Sequence, residues 1–276
     1  MFVDVHKSVL YWMITAWDWL FNGWVVDYGT WPDQRHDYFS QKDVTRTLAK
    51  KYPNTGPEGA IHAGLRDLVT LQLARKFYNE IGDELIVGRC LVDANWGEMT
   101  DVVYQFCRNG SDYSDKIYPS HGKYFGASSV ALSDLKGQQG DRIGTHWKIP
   151  ADAGKRHKRH VLIDTNYWKS FAHSRLAAAV GDPACVTLFG ENPRSHLLLS
   201  EHLTAEYRVK TIAKGRTVDE WKSRANEPDN HWLDCLVGCA VAASIEGVAL
   251  SELKMEKKKP REKIKMSEFV KNVRNF

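Results

Sequence analysis

The start of the chain alternates apolar runs with short polar breaks. The apolar runs cover residues 2–5, 9–17 and 24–29, and the second break ends in an Asn-Gly pair. Runs rich in β-branched and aromatic residues, separated by turn residues, predict an antiparallel meander of three strands. A carboxylate, Asp4, interrupts the first run. Because an unpaired buried carboxylate is costly, we expect Asp4 to face a metal ion, another cation or water.

Helical and strand patterns alternate after the meander. Apolar residues at helical spacing predict a helix over 57–77, with a stop signal at 79–82. The near-continuous apolar run 84–93 predicts a strand that is buried on both faces, and this run ends in a second carboxylate, Asp93. A meander followed by alternating helices and strands is typical of the α/β class with a mixed sheet.

The second half of the chain has fewer clear patterns. Thr100 and Asp101 are expected to cap a short helix that extends to Cys107. Residues 195–221 are mixed and favour no element. The remaining predicted elements are a strand over 116–125, a strand over 160–164 followed by a helix, and a long helix over 231–248.

Composition places the chain among ordinary globular proteins. The 276 residues are 43% hydrophobic and 26% charged, which is enough apolar material for a full core. The formal net charge of +4 is compatible with an anionic partner. Five cysteines without framework spacing predict reduced thiols in a cytosolic setting. No apolar run approaches the roughly 20 residues of a membrane span, so we expect an intracellular protein without a membrane partner.

The C-terminal segment differs in composition from the rest. Residues 251–276 are rich in Lys and Glu with a positive excess. Such a segment is typical of a basic, flexible tail. We therefore expect one domain over 1–250 followed by this tail.

Three carboxylates occupy positions where the pattern favours apolar residues: Asp4, Asp93 and Asp234. If the strands that carry Asp4 and Asp93 are neighbours, their carboxylates lie about 5 Å apart, whereas Asp27 lies about 10 Å from Asp4 across the meander. Clustered carboxylates repel unless cations take up the charge, and hard oxygen ligands select Mg²⁺ or Mn²⁺. Each aspartate alone is more often a capping or solvated residue, and spacing does not show that the three converge.

Two other candidate sites have a simpler structural explanation. His231, Cys235 and Cys239 recur on one helix face and could form a zinc set, but core thiols beside a capping histidine are the favoured interpretation. Asp164 is either a fourth carboxylate of the cluster or a turn or helix cap.

Basic residues provide candidate contacts to DNA phosphates. A basic run precedes the strand at 160–164, and it either contacts phosphates or is a solvated loop. Further candidates lie on the helix after that strand. The full set is Lys155, Arg156, Lys158, Arg159, Lys169, His173 and Arg175.

An ordered set of short motifs resembles the nuclease domain of phage terminase large subunits of the lambda-type family. The motifs are FVDVHK at 2–7, VVDYGT at 25–30, LVDANWG at 91–97, NYWKSF at 166–171, EYRVK at 206–210 and NHWLDCLVG at 230–238. The resemblance extends to about residue 250. It implies an RNase H-like fold with a mixed five-stranded sheet, in which a three-stranded antiparallel meander and parallel strands are flanked by helices.

The same resemblance implies a function. Asp4, Asp93 and Asp234 match the first-strand, fourth-strand and helical aspartates that hold two Mg²⁺ or Mn²⁺ ions in a nuclease cutting concatemeric viral DNA during packaging. The implied partners are double-stranded DNA, the terminase small subunit, the portal protein and a separate ATPase domain, in the cytoplasm of the bacterial host.

One departure from the family limits that expectation. The ATPase motor of the large subunit would need a phosphate-binding loop of the form GxxxxGK[ST], which this sequence lacks. We therefore expect a nuclease fragment, a split gene or a remnant that does not itself translocate DNA. The rival interpretations are another RNase H-like nuclease of the resolvase type and a non-catalytic DNA-docking remnant.

Overall fold

A computed structural model describes residues 1–226 and 229–248. Within them, nine strands form one sheet in the order β11-β3-β2-β1-β6-β7-β10-β9-β8, and two small hairpins, β4-β5 and β12-β13, lie outside it. The strands are β1 (Phe2–Val5), β2 (Leu10–Trp17), β3 (Gly23–Trp31), β4 (Phe77–Tyr78), β5 (Glu84–Leu85), β6 (Cys90–Asp93), β7 (Ile117–Lys123), β8 (Arg142–Gly144), β9 (Trp147–Ile149), β10 (Val161–Asp164), β11 (Val186–Leu188), β12 (Glu206–Ala213) and β13 (Arg216–Ser223).

Helices cover both faces of this sheet. They are α1 (Leu48–Lys51), α2 (Gly56–Leu73), α3 (Thr100–Asn109), α4 (Thr165–Leu176), α5 (Leu197–Leu203) and α6 (His231–Ile245). Helices α4, α5 and α6 pack on the face that carries Phe2 and Tyr11, and α1, α2 and α3 pack on the face that carries Val3 and Leu10. This division follows from the two-residue alternation of side chains along a strand.

The strand order confirms the predicted α/β class and its mixed sheet. Strands β1, β2 and β3 form the antiparallel meander, and β1 pairs in parallel with β6 on its other side. Strands β6, β7 and β10 continue in parallel. The sheet is wider than the five strands expected, because β11 pairs with β3 at one edge and β9 and β8 extend the other.

Several predicted element boundaries were wrong. The run 84–93 is not one strand: Glu84–Leu85 forms an exposed hairpin with Phe77–Tyr78, and only Cys90–Asp93 enters the sheet. This hairpin also ends α2 earlier than residue 77. The predicted capping role of Thr100 is wrong as well. Thr100 is the first residue of the helix, and its hydroxyl donates to the preceding carbonyls of Ala94, at 2.9 Å, and Trp96, at 3.1 Å.

Other parts of the chain were less informative in sequence. The mixed stretch 195–221 forms α5 and most of the β12-β13 hairpin.

All five cysteines are buried free thiols. No helix within the described ranges combines the length and apolar character needed to cross a membrane. The predicted tail, 251–276, lies outside the described residues, so the division of the chain at residue 250 stays a prediction.

Candidate active site

Asp4 and Asp93 lie side by side because β1 and β6 are parallel neighbours. Phe2 pairs with Leu91 and Val3 with Val92, so the next residues of the two strands are the two aspartates. Alternation along each strand turns both carboxylates to the face that α6 covers. The sheet thus brings together two of the predicted ligands.

Helix α6 adds the third carboxylate, Asp234, from its first turn. The helix packs closely on β1, since a Cβ at Gly238 would lie 1.8 Å from the ring of Phe2. That contact is possible only where the helix has no side chain. The close packing of α6 on β1 therefore directs Asp234 towards the carboxylates of the sheet.

The three aspartates line one cavity of about 270 Å³. Its wall contains apolar groups of β1 and α6, including Phe2 and Val237. Its polar lining residues are Asp4, Asp93, Asn95, Ser120, Thr165, Lys169 and Asp234. Of the predicted phosphate contacts, only Lys169 lies here.

Like charges and burial dominate the electrostatics of Asp93. Burial raises the pKa of this carboxyl well above its ordinary value, and the carboxylates of Asp4 and Asp234 raise it further. Backbone N–H groups of Asn95 and Ala94 act in the opposite direction. A nearby cation would stabilise the ionised form of Asp93.

A buried lysine reaches Asp234 from α4. The Lys169 ammonium lies 3.1 Å from Asp234 Oδ1 and 2.5 Å from Glu206 Oε1. Burial alone lowers the pKa of Lys169, but the two carboxylates outweigh it and the net pKa is raised. For Asp234, burial raises the pKa of the carboxyl although Lys169 opposes the shift. Asn230 Nδ2 donates to both acids, at 2.7 Å to Glu206 and 3.1 Å to Asp234.

A histidine holds Asp4 in a similar way. His231 Nδ1 lies 2.6 Å from Asp4 Oδ2, and its Nε2 lies 2.7 Å from Gln41 Oε1. Both partners are acceptors, so a protonated ring would donate from both nitrogens, one to Asp4 and one to Gln41. Burial lowers the pKa of His231, yet its hydrogen bond to Asp4 and the surrounding carboxylates raise the net pKa. The ring also stacks on Tyr11, with centroids 4.1 Å apart.

The donor set fits a hard divalent cation in its chemistry, since carboxylate oxygens are the ligands that Mg²⁺ and Mn²⁺ prefer. As the side chains stand, however, no three His, Cys, Asp or Glu residues of the described ranges form a group that could hold a metal ion. Two of the three aspartates instead give an oxygen to a basic side chain of the protein, Asp4 to His231 and Asp234 to Lys169. The structure brings the three predicted ligands into one cavity without arranging them around one point.

The structure also shows where the alternative candidates lie. Asp164 caps α4, accepting from the backbone N–H of Tyr167 at 3.2 Å, and lies 2.9 Å from His146 Nδ1. Asp27, two strands from β1, pairs with Arg75 at 2.6 Å. Neither aspartate lines the cavity of Asp4.

The zinc alternative has no support in the geometry. His231 uses both ring nitrogens for Asp4 and Gln41, and the thiols of Cys235 and Cys239 are buried in the core. Both thiols have a raised pKa, chiefly because of burial, which disfavours the thiolate that zinc needs.

The basic run is not close to the carboxylates. None of its four residues lines their cavity. Arg156 pairs with Asp101 of α3 at 2.5 Å, on the other face of the sheet from α6. Lys158 and Arg159 donate to backbone carbonyls, each at 2.6 Å at the shortest. Lys155 belongs to the exposed start of the run.

Two further candidates on α4 do not line the carboxylate cavity. The ring of His173 stacks on Trp221 with centroids 4.1 Å apart, and the Arg175 guanidinium lies 4.7 Å from the ring centre of Phe171. Arg175 lines a separate, larger cavity of about 630 Å³, together with Asp164. Their role in DNA binding stays a prediction.

Sequence reasoning missed the residues that hold the aspartates. Glu206 opens the EYRVK motif, and its near-complete burial, with 7% of its surface exposed, is the reason it needs Lys169. His231 stands three positions before Asp234, in the NHWLD motif. In both cases the only sequence signal was a polar residue inside a family motif. The residue that each one contacts, Lys169 for Glu206 and Asp4 for His231, is far away in sequence.

Comparison with known proteins gives a family match over almost the whole chain. Residues 1–257 match the family described as terminase large subunit gpA, endonuclease domain. No curated protein matches the chain, and no solved structure matches it. The match agrees with the motif resemblance and with the mixed sheet flanked by helices. The chain therefore belongs to the family of terminase large-subunit gpA endonuclease domains.

Proposed function

We propose that this chain is a metal-dependent DNA endonuclease that hydrolyses phosphodiester bonds of concatemeric viral DNA during genome packaging. The observation that carries the proposal is the meeting of Asp4, Asp93 and Asp234 in one cavity of about 270 Å³. The family supplies the nuclease role, and the donor chemistry of the cavity supports the dependence on metal.

Asp4, Asp93 and Asp234 are the proposed ligands, and two Mg²⁺ or Mn²⁺ ions are the proposed complement, as in the family resemblance. When bound, such ions activate water and stabilise the charge that develops on the phosphate oxygens. The apolar wall formed by Phe2 and Val237 keeps bulk water from one side of the cavity, which strengthens interactions between charges inside it.

The neighbours of the aspartates orient the site. His231 holds one oxygen of Asp4 through a contact of 2.6 Å, and Lys169 with Asn230 restrains Asp234. Restraint of this kind fixes a carboxylate in place and tunes its affinity for a cation, as hydrogen bonds behind metal ligands do.

The substrate is double-stranded DNA in this proposal. Lys169 and the other basic candidates, including the run 155–159, His173 and Arg175, are proposed phosphate contacts. The terminase small subunit, the portal protein and a separate ATPase domain are the proposed partners in the host cytoplasm.

The test is cleavage of supercoiled plasmid by the purified chain. Nicked or linear product is expected with Mn²⁺ or Mg²⁺, and none with EDTA. Cleavage that persists in chelator would contradict the metal dependence. A strong preference for branched DNA would favour a resolvase-type nuclease, and binding without any cleavage would favour a docking module.

A further inference from the structure

Asp234 differs from the other two aspartates because a lysine is bound to it inside the cavity. Lys169 is 9% exposed, and its ammonium contacts Asp234 at 3.1 Å. Asp234 itself keeps 36% of its side-chain surface accessible. A cation arriving from solvent would therefore reach a carboxylate that already has a positive partner.

Glu206 holds this lysine from the side away from the cavity. It lies 2.5 Å from the ammonium, is 7% exposed and does not line the cavity. Asn230 adds a hydrogen bond of 2.7 Å to the same Glu206 oxygen. Separating a buried carboxylate from its paired cation costs free energy, because it leaves a buried charge without a partner. Lys169 is thus fixed beside Asp234 by a second acid that is not a candidate metal ligand.

We propose that Lys169, anchored by Glu206, is a positioning residue that blocks Asp234 as a metal ligand in the DNA-free protein, so that the cavity then takes one divalent cation rather than two. The inference rests on the proposed metal-dependent function. It concerns only how this chain's own ammonium limits cation binding at one of the three aspartates.

The physical reason is repulsion between cations. A divalent ion within about 5 Å of an ammonium binds about tenfold more weakly even under water-like screening, and more weakly still in a partly buried cavity. Asp4 and Asp93, which share neighbouring strand ends, have no lysine partner in the described contacts. The single ion is expected at that pair.

The experiment is calorimetric titration of the DNA-free protein with Mn²⁺. The parent is expected to bind one ion. The variant Lys169→Met/Glu206→Gln removes the ammonium together with its buried counter-charge. It is expected to bind two ions, with affinity for the first raised about threefold, because losing the Glu206 charge offsets part of the gain from losing the ammonium. A purely structural role for Lys169 would change stability without changing the number of ions.

A matched control is present elsewhere in the fold. Lys148 and Asp141 form another buried pair, 2.8 Å apart with 13% and 3% of their side chains exposed, and neither lines the carboxylate cavity. The variant Lys148→Met/Asp141→Asn should match the parent in Mn²⁺ titration. Thermal unfolding monitored by circular dichroism checks that each variant is folded.

A single substitution gives an independent test if the double variant does not fold. Glu206→Gln keeps the Lys169 ammonium but removes the negative charge that partly neutralises it. One ion is therefore expected, with affinity about threefold weaker than in the parent. Two ions on the DNA-free parent, one ion on the folded double variant, or tighter binding by Glu206→Gln would overturn the inference. Failure of the proposed function itself would differ, since the parent would then bind no Mn²⁺ and cut no plasmid.

Discussion

At the scale of single residues, each carboxylate of the cavity has a different neighbour. Asp4 is bound by the ring of His231, and Asp234 by the ammonium of Lys169. Asp93 instead accepts hydrogen bonds from backbone N–H groups, and its pKa is raised by burial and by the other two acids. The site therefore combines two carboxylates stabilised by the protein with one that a metal ion would stabilise.

Substitution of the aspartates tests which of them act in cutting. Asp4→Asn, Asp93→Asn and Asp234→Asn should each lower the plasmid cleavage rate at least ~100-fold, because each removes charge aimed at the reacting centre. Asp27→Asn should cut nearly as well as the parent, because Asp27 does not line the carboxylate cavity and its partly exposed pair with Arg75 contributes about 1 kcal/mol or less to stability.

Gel-based nicking assays with matched circular dichroism spectra measure these effects. A result with Asp27→Asn inactive and unable to bind metal, and with Asp4→Asn active, would transfer the site to β3. The three Asn variants are nearly isosteric with the parent, so loss of folding is not expected to account for loss of cutting.

At the scale of elements, the packing of α6 on β1 controls the position of Asp234. Gly238 is the point of closest approach, where a Cβ would meet the ring of Phe2. Phe2 stands two residues before Asp4, and Gly238 stands one helical turn after Asp234. One contact thus sets the separation between two of the proposed ligands.

Gly238→Ala is therefore expected to harm both stability and cutting. Overpacking at this contact should lower the free energy of unfolding by about 1–3 kcal/mol. Urea denaturation measures the loss, and the nicking assay measures the displacement of Asp234. Gly88→Ala is the control, since a Cβ there would have no atom within 4 Å. If Gly238→Ala and the parent have equal free energies of unfolding, α6 can move away from β1 without loss of stability.

At the scale of the whole molecule, the basic run at 155–159 lies away from the carboxylate cavity. The net charge is +4, and three residues of the basic run make internal contacts that do not involve the carboxylates. Weak, sequence-tolerant and salt-dependent DNA binding is the expected consequence.

Neutralising the basic run tests its part in that binding. Changing Lys155, Arg156, Lys158 and Arg159 to Gln should reduce the slope of log affinity against log salt by roughly 0.9 for each phosphate that the run neutralises in the parent. Fluorescence anisotropy with a DNA duplex measures the slope. Lys155→Gln alone is the companion variant, because the other three residues also support the fold. An unchanged slope would identify the run as a solvated loop.

Much of the architecture was predictable because it depends on local periodicity. The meander and the long helix that carries Asp234 follow from runs of alternating or helical spacing. The predicted position of Asp27, two strands from β1, is confirmed for the same reason. The parallel pairing of β1 with β6, which places Asp4 beside Asp93, was a condition of the sequence argument and is decided by the tertiary structure. The short edge strands β8, β9 and β11 were missed, since three residues contain too little pattern to recognise.

Sequence by itself determined the fold class, the family motifs and the three candidate carboxylates, because strand and helix patterns are written into neighbouring residues. Only the tertiary structure decided how those carboxylates are held. Lys169 and Glu206 are 37 positions apart and His231 and Asp4 are 227 apart, so no local sequence pattern predicts either pair. Each pairing exists because burial makes a lone charge costly, and the chain topology determines which opposite charge is within reach.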